Sequence, residues 1–133
     1  MWCLSKWDQS FQVKFCANVG YIPASLSTNI KVVEWLPQND LLGHKDIKAF
    51  VSHVGFNSVY ESAYHGVPVV AVPLFADQFS NAKKVEQFGL GIVVDYKSVY
   101  ADQLFETIEQ VITEPRCLPF TQNTGVESLY INI

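Results

Sequence analysis

An α/β fold with a mostly parallel sheet and flanking helices is what this chain of 133 residues predicts, on three observations. Pro68-Val-Val-Ala-Val72 is apolar at every position, as a strand covered on both faces requires. Ala101 to Thr113 sets Leu104, Phe105, Ile108, Val111 and Ile112 at helical spacing. Strand-like and helix-like segments alternate through the middle of the chain, which is the pattern of βαβ units.

The elements follow in order. Phe11–Cys16 alternates weakly and reads as a strand, while Tyr21 to Asn29, with Pro23, two serines and a threonine, reads as a loop. Lys31-Val-Val-Glu-Trp35 is rich in β-branched residues and predicts a strand that stops ahead of Pro37. Pro37 to His44 predicts a short helix or turn, and Lys48 to Ser52 a short buried strand. Ser58 to His65 predicts a helix closed by Gly66. Pro68–Val72 is the central strand. Asp77 to Phe88 predicts a helix with Asp77 able to cap its start and with Phe79, Ala82, Val85 and Phe88 on one face. Gly91 to Val94 is the next strand, and Ala101 to Thr113 the clearest helix, with Pro115 beyond its end. Arg116 to Ile133 has no sustained periodicity and is expected to be a loosely attached tail, so the domain is drawn at residues 1–115 and the tail at 116–133.

Composition narrows the function. Apolar residues make up 49% and aromatics 14%, enough for one packed core and too rich for a disordered chain. The net charge of −4, with no run of like charges, argues against an electrostatic grip on nucleic acid or an anionic bilayer. Val67 to Ala76, the longest apolar run, is interrupted by two prolines and falls short of the roughly 20 residues of a membrane span. The first residues lack the basic head and apolar run of a signal peptide. Cys3, Cys16 and Cys117 form neither a CxxC nor a Cys/His cluster, so they predict buried or incidental thiols, with no disulfide framework and no metal site.

In an open parallel sheet, ligands bind beyond the carboxyl ends of the strands. This chain puts Trp35 and Gln38 there after one strand, His53, Gly55 and Asn57 after the next, and Asp77 and Gln78 after the third. The Gly55–Ser58 turn leads into a helix, whose free N–H groups and dipole attract an anion such as a diphosphate. Neither GxxxxGK[ST] nor GxGxxG is present, so phosphate binding would rest on backbone N–H groups and hydroxyls.

These residues carry a resemblance. Trp35-Leu-Pro-Gln-Asn-Asp-Leu-Leu-Gly-His44, Phe50-Val-Ser-His-Val-Gly-Phe-Asn-Ser58, Tyr60-Glu61, His65-Gly-Val-Pro68 and Pro73-Leu-Phe-Ala-Asp-Gln78 resemble the signature of UDP-glycosyltransferases, closest to the animal UDP-glucuronosyltransferases. The signature spans 35–78, and a looser likeness runs from about Ile30 to Pro115. It implies a Rossmann-like, partial C-terminal domain of a two-domain GT-B glycosyltransferase. The opening strand and helix of that domain are expected to be missing, as are the acceptor-binding half and the membrane anchor of animal members.

What the resemblance implies residue by residue is as follows. Trp35 would stack on uracil and Gln38 would contact the nucleoside. His53, with backbone N–H groups around Gly55, Asn57 and Ser58, would hold the diphosphate. Glu61 would accept hydrogen bonds from the ribose hydroxyls, and Asp77 and Gln78 would bind hydroxyls of the transferred sugar. The catalytic base, a histidine in the family, would lie in the absent half, so no residue here is assigned to it. One position departs: His53-Val54-Gly55 stands where animal members usually carry His-Gly-Gly. A β-branched residue does not easily take φ > 0 and narrows the approach to phosphate, which bears on nucleotide affinity.

Plainer readings exist for each residue. Ser58 and Glu61 fit S-x-x-E, so Glu61 could complete a capping box. Asp77 could be only a helix N-cap, Trp35 only a rim aromatic, and His44 and His65 read as structural. Six matches in one spacing favour the functional reading for the nucleotide site.

The resulting expectation is the donor-binding portion of an inverting hexosyltransferase. It would take UDP-glucuronic acid or UDP-glucose as donor substrate, without cofactor or metal. The full-length protein would sit in the endoplasmic reticulum membrane and act on a small lipophilic hydroxylated acceptor. The chain alone is expected to be inactive and to associate into a homo-oligomer through uncovered apolar faces. The alternative is a truncated, non-catalytic product that binds UDP-sugar weakly or associates with full-length relatives. A flavodoxin-like signalling domain would need an acidic phospho-acceptor pocket, for which only Asp77 qualifies.

Overall fold

The computed structural model describes residues 2–7, 10–16, 30–33 and 35–113. The tail from Arg116, the loop expected over Tyr21–Asn29 and the three cysteine side chains lie outside what is described.

Among the described residues, six strands and four helices follow one another as β1 (Trp2–Trp7), β2 (Ser10–Cys16), β3 (Ile30–Val33), α1 (Gln38–Leu42), β4 (Ile47–Ser52), α2 (Phe56–His65), β5 (Val69–Ala71), α3 (Gln78–Gln87), β6 (Gly91–Val93) and α4 (Ala101–Thr113). The strands form one sheet in the order β3-β2-β1-β4-β5-β6. β2 and β3 are parallel, as are β4, β5 and β6, while β1 is antiparallel to both of its neighbours. Five strands therefore point the same way, and the carboxyl ends of β3, β4 and β5 share one edge.

β1 is a strand that the sequence pattern did not predict. Trp2–Trp7 occupies the central position between β2 and β4, with Leu4 opposite Ala49 and Trp2 opposite Val51. Its sequence mixes polar and apolar residues without a clear period, so nothing local marks it as a strand. Because it runs antiparallel to β2, the two pair without a crossover helix.

The two faces of β4 and β5 pack on different helical layers, as the alternation of side chains along a strand dictates. Phe50, Val69 and Ala71 face Leu42, Val54, Ala63, Val67, Ala82, Val85 and Leu90, a core built with α1, α2 and α3. Ala49, Val51 and Val70 face Val111, with Leu104, Ile108 and Ile112 of α4 packed around it. The apolar run at 68–72 is thus a strand with helices on both faces. Each fully buried valine in it is worth about 1.5–3 kcal/mol. At Gly91 an added Cβ would stand 1.8 Å from the Val69 carbonyl oxygen, so β6 can lie beside β5 only with a glycine there.

The structure shifts one predicted stripe. The buried face of α3 is Gln78, Asn81, Ala82 and Val85, whereas Phe79 and Phe88 are exposed. Residues 78, 81, 82 and 85 also obey helical spacing, and two of them are polar, so hydrophobicity alone chose the neighbouring register. On α4 the same comparison leaves Phe105 in solvent.

Candidate functional site

The site is built at the carboxyl edge of β3, β4 and β5. β4 ends at Ser52, and His53, Val54 and Gly55 carry the chain into α2, which starts at Phe56, two residues earlier than its sequence pattern predicts. Gly55 is the N-cap and offers no side chain, and the first bond of the helix runs from the Val59 N–H to the Gly55 carbonyl at 3.2 Å. The N–H groups of Phe56, Asn57 and Ser58 therefore have no helical acceptor and sit at the positive end of the helix dipole. The early start also removes the capping-box reading. Ser58 is the third residue of the helix and not its cap, and Glu61 is bonded elsewhere.

His53 lies against this turn. A Cβ added at Gly55 would meet His53 Nε2 at 2.9 Å. Gly55 has φ −57°, which any residue can adopt, so its glycine serves the close approach of the imidazole and not the backbone angle.

Between them stands Val54, with φ 56° and no exposed surface. Left-handed backbone costs a residue with a Cβ roughly 1–2 kcal/mol. The surroundings hold it there. Its N–H donates to Ser52 Oγ at 3.0 Å, its carbonyl accepts from Asn81 Nδ2 at 3.1 Å, and its isopropyl group fills the core beside Leu42 and Phe50. Contrary to expectation, the β-branched residue does take a positive φ.

Three of the candidate residues are joined directly. Gln38, at the start of α1, donates from Nε2 to Glu61 Oε2 at 2.6 Å and to Ser58 Oγ at 3.3 Å. That network ties the segment after β3 to the first turns of α2 and leaves Glu61 a further carboxylate oxygen as acceptor. Three residues before Gln38, Trp35 is 77% exposed, an aromatic face open to solvent.

After β5 the chain turns at Ala76, φ 55°, and enters α3. Asp77 occupies the N-cap position without making a side-chain cap bond; its Oδ2 instead accepts from Asn81 Nδ2 at 3.1 Å. Gln78, 5% exposed, accepts at Oε1 from the N–H groups of Leu74 (2.8 Å) and Phe75 (3.1 Å), so its carbonyl end braces the loop from within.

The other two of the chain's three histidines have structural partners. His44 Nδ1 accepts from the Asp46 N–H at 3.3 Å, and His65 Nε2 shares a 2.8 Å hydrogen bond with Asn39 Oδ1. Among the described residues no group of three His, Cys, Asp or Glu side chains is placed to hold a metal ion. No helix among them is long and apolar enough to cross a membrane.

The structure thus brings together Gln38, Ser58 and Glu61 by hydrogen bonds, His53 with Gly55 by contact, and Asp77 with the His53–Gly55 turn through Asn81. Asn81 is what sequence reasoning missed. Its signal was faint: an asparagine inside a helix, where it is a poor helix former, four residues after an aspartate.

Comparison with known proteins follows the same residues. The sequence profile of a family described as UDP-glucoronosyl and UDP-glucosyl transferase matches residues 2–118. Human 2-hydroxyacylsphingosine 1-beta-galactosyltransferase is 50% identical over 93 residues, which is 70% of this chain and 17% of that protein. UDP-glucuronosyltransferase 2B17 of Rattus norvegicus is 40% identical over 114 residues, 86% of this chain and 21% of the relative. Among solved structures, the glycotransferase of kitacinnamycin superposes with a TM-score of 0.67 at 29% identity, covering 75% of this chain and 25% of the other. Os79 from O. sativa, in complex with UDP and deoxynivalenol-3-glucoside, does so with 0.61 at 33% identity, covering 67% and 22%. The chain therefore spans about a fifth of the length of the curated relatives it matches.

Proposed function

This chain belongs to the UDP-glucuronosyl and UDP-glucosyl transferase family, and from that premise we propose that it is the donor-binding portion of an inverting UDP-glycosyltransferase. The observation that carries the reading is the start of α2, where three N–H groups without helical acceptors stand beside His53, with the Gln38–Glu61 pair at the same edge. UDP bound to the similar Os79 structure supports the ligand class.

In this reading Trp35 stacks on uracil, and Gln38 and Glu61 meet the nucleoside, Glu61 accepting from the ribose hydroxyls. His53 and the N–H groups of Gly55, Asn57 and Ser58 hold the diphosphate. Asp77 and Gln78 meet the sugar, Gln78 through its amide nitrogen because its oxygen braces the loop. The acceptor oxygen displaces UDP at the anomeric carbon, one C–O bond forming as the other breaks. Negative charge grows on the leaving diphosphate, and donors fixed in advance around it stabilise that charge without reorganising. The acceptor's proton needs a base within hydrogen-bond reach. With His44 and His65 committed to Asp46 and Asn39, and His53 to the diphosphate, that base comes from the remainder of the full-length protein.

UDP-glucuronic acid and UDP-glucose are the proposed donors. A small lipophilic hydroxyl compound is the proposed acceptor, and the endoplasmic reticulum membrane is the proposed location of the full-length protein. Self-association is proposed through exposed apolar side chains such as Phe75 and Phe79. Titration calorimetry of the chain with UDP and both UDP-sugars tests donor binding. Binding of all three, lost in Trp35→Ala, is the expected result; no binding of UDP by the folded chain refutes the reading. Incubation with UDP-sugar and a panel of phenols should give no glycoside by mass spectrometry.

A further inference from the structure

Asn81 is a buried polar side chain, 7% exposed, that reaches both loops of the candidate site at once. Its Nδ2 donates to the Val54 carbonyl at 3.1 Å and to Asp77 Oδ2 at 3.1 Å. A carboxamide nitrogen has two protons, so one bond to each acceptor uses both.

Each bond fixes something the ligand would feel. The peptide unit is planar and trans, so holding the Val54 carbonyl toward α3 turns the Gly55 N–H the opposite way across the same plane. Val54 is also the strained residue of this turn, and strained backbone persists only where its surroundings over-determine it. Ser52 Oγ grips its N–H and Asn81 its carbonyl. On the other side, occupying Oδ2 of Asp77 orients the carboxylate and leaves Oδ1 to accept from a hydroxyl. Ala76, one residue earlier, is the second non-glycine residue at positive φ among those described. The two strained positions thus flank a single shared clamp.

We propose that Asn81 is a positioning residue that couples the diphosphate turn to the sugar-facing carboxylate, so that the geometry of one loop is set by the other. The inference rests on the donor-binding reading above, and goes beyond it in assigning a role to a residue that touches neither ligand group.

The test compares UDP, which of the two loops joined by Asn81 meets only the His53 turn, with UDP-glucose, which meets both, by calorimetry on the whole chain. Variants are Asn81→Ala, Asn81→Asp, Asn81→Ser and, as a stability control on the same helix, Val85→Ala. Asn81→Ala should weaken UDP-glucose about tenfold more than it weakens UDP, the scale of losing one hydrogen bond to a charged group. Asn81→Asp keeps the volume but sets an acceptor against two acceptors, and should shift the ratio at least as far. Asn81→Ser retains one short donor, should fall between wild type and Asn81→Ala, and serves if the alanine variant does not fold. Val85→Ala should lower the melting temperature and leave the ratio of the two affinities unchanged. A ratio unmoved in Asn81→Asp and Asn81→Ser, while the wild type binds both ligands, overturns the coupling and leaves the donor reading standing. If the folded wild type binds neither ligand, both fall together.

Discussion

Val54 offers a measurement of the strain that the site holds. At an ordinary buried position with negative φ, truncating valine to glycine is worse than truncating it to alanine. Glycine loses one more buried methyl, about 0.8 kcal/mol on the transfer scale. It also loses roughly 0.5–1 kcal/mol more conformational entropy on folding. Val54→Ala removes two buried methyl groups and should cost about 2 kcal/mol, most of it transfer free energy with a cavity contribution. It leaves the backbone at φ 56°, so the left-handed penalty of roughly 1–2 kcal/mol stays. Val54→Gly relieves that penalty, and the gain offsets the extra loss. The two variants should therefore unfold within about 0.5 kcal/mol of each other, whereas a relaxed site would separate them by roughly 1.5 kcal/mol. Urea denaturation of wild type and both variants, with the slope checked for constancy, measures this directly. In parallel, Val54→Gly should tighten UDP binding, because the isopropyl group no longer dictates the path of the backbone beside Gly55. A glycine variant that is less stable than the alanine variant by the full 1.5 kcal/mol, with no gain in UDP affinity, would refute the argument from strain.

Trp35→Ala should weaken UDP binding by about 1–3 kcal/mol, or roughly 5- to 150-fold, on the scale of base–aromatic stacking. Because Trp35 is 77% exposed, the melting temperature should barely move; unchanged affinity in calorimetry rules out stacking. Glu61→Gln removes the charge that strengthens hydrogen bonds from ribose hydroxyls while keeping the side chain's shape, so UDP affinity should fall with little change in thermal stability. A large drop in stability with full affinity would mean that the contact with Gln38 is Glu61's whole role. Gly55→Ala should displace the His53 ring, which lies 2.9 Å from the new Cβ, and weaken UDP binding. In a His53→Ala background the same change should cost far less, and additive losses in that double-mutant cycle would show that the glycine matters for another reason.

Much of this protein was written in one dimension. The apolar run at 68–72, the glycine at 66 that closes α2 and the helical spacing at 101–113 each state a local preference that packing then obeys. The residues of the candidate site were legible for the same reason. Signature spacing from Trp35 to Gln78 places Trp35 just past β3 and His53 just past β4, and strand ends are local features. Three things were not local. Trp2–Trp7 has no periodicity of its own and is a strand because β2 and β4 offer it hydrogen bonds on both sides. The inward face of α3 contains Gln78 and Asn81, which a hydrophobicity pattern discards, and they are buried because a loop and a carbonyl 27 residues away satisfy them. Val54 carries a side chain that disfavours a left-handed backbone, yet the core that encloses the isopropyl group and the two hydrogen bonds on its peptide units outweigh that preference. Sequence fixes what each residue prefers alone; only the folded chain decides which preferences are overruled, because the free energy that overrules them comes from partners distant along the chain.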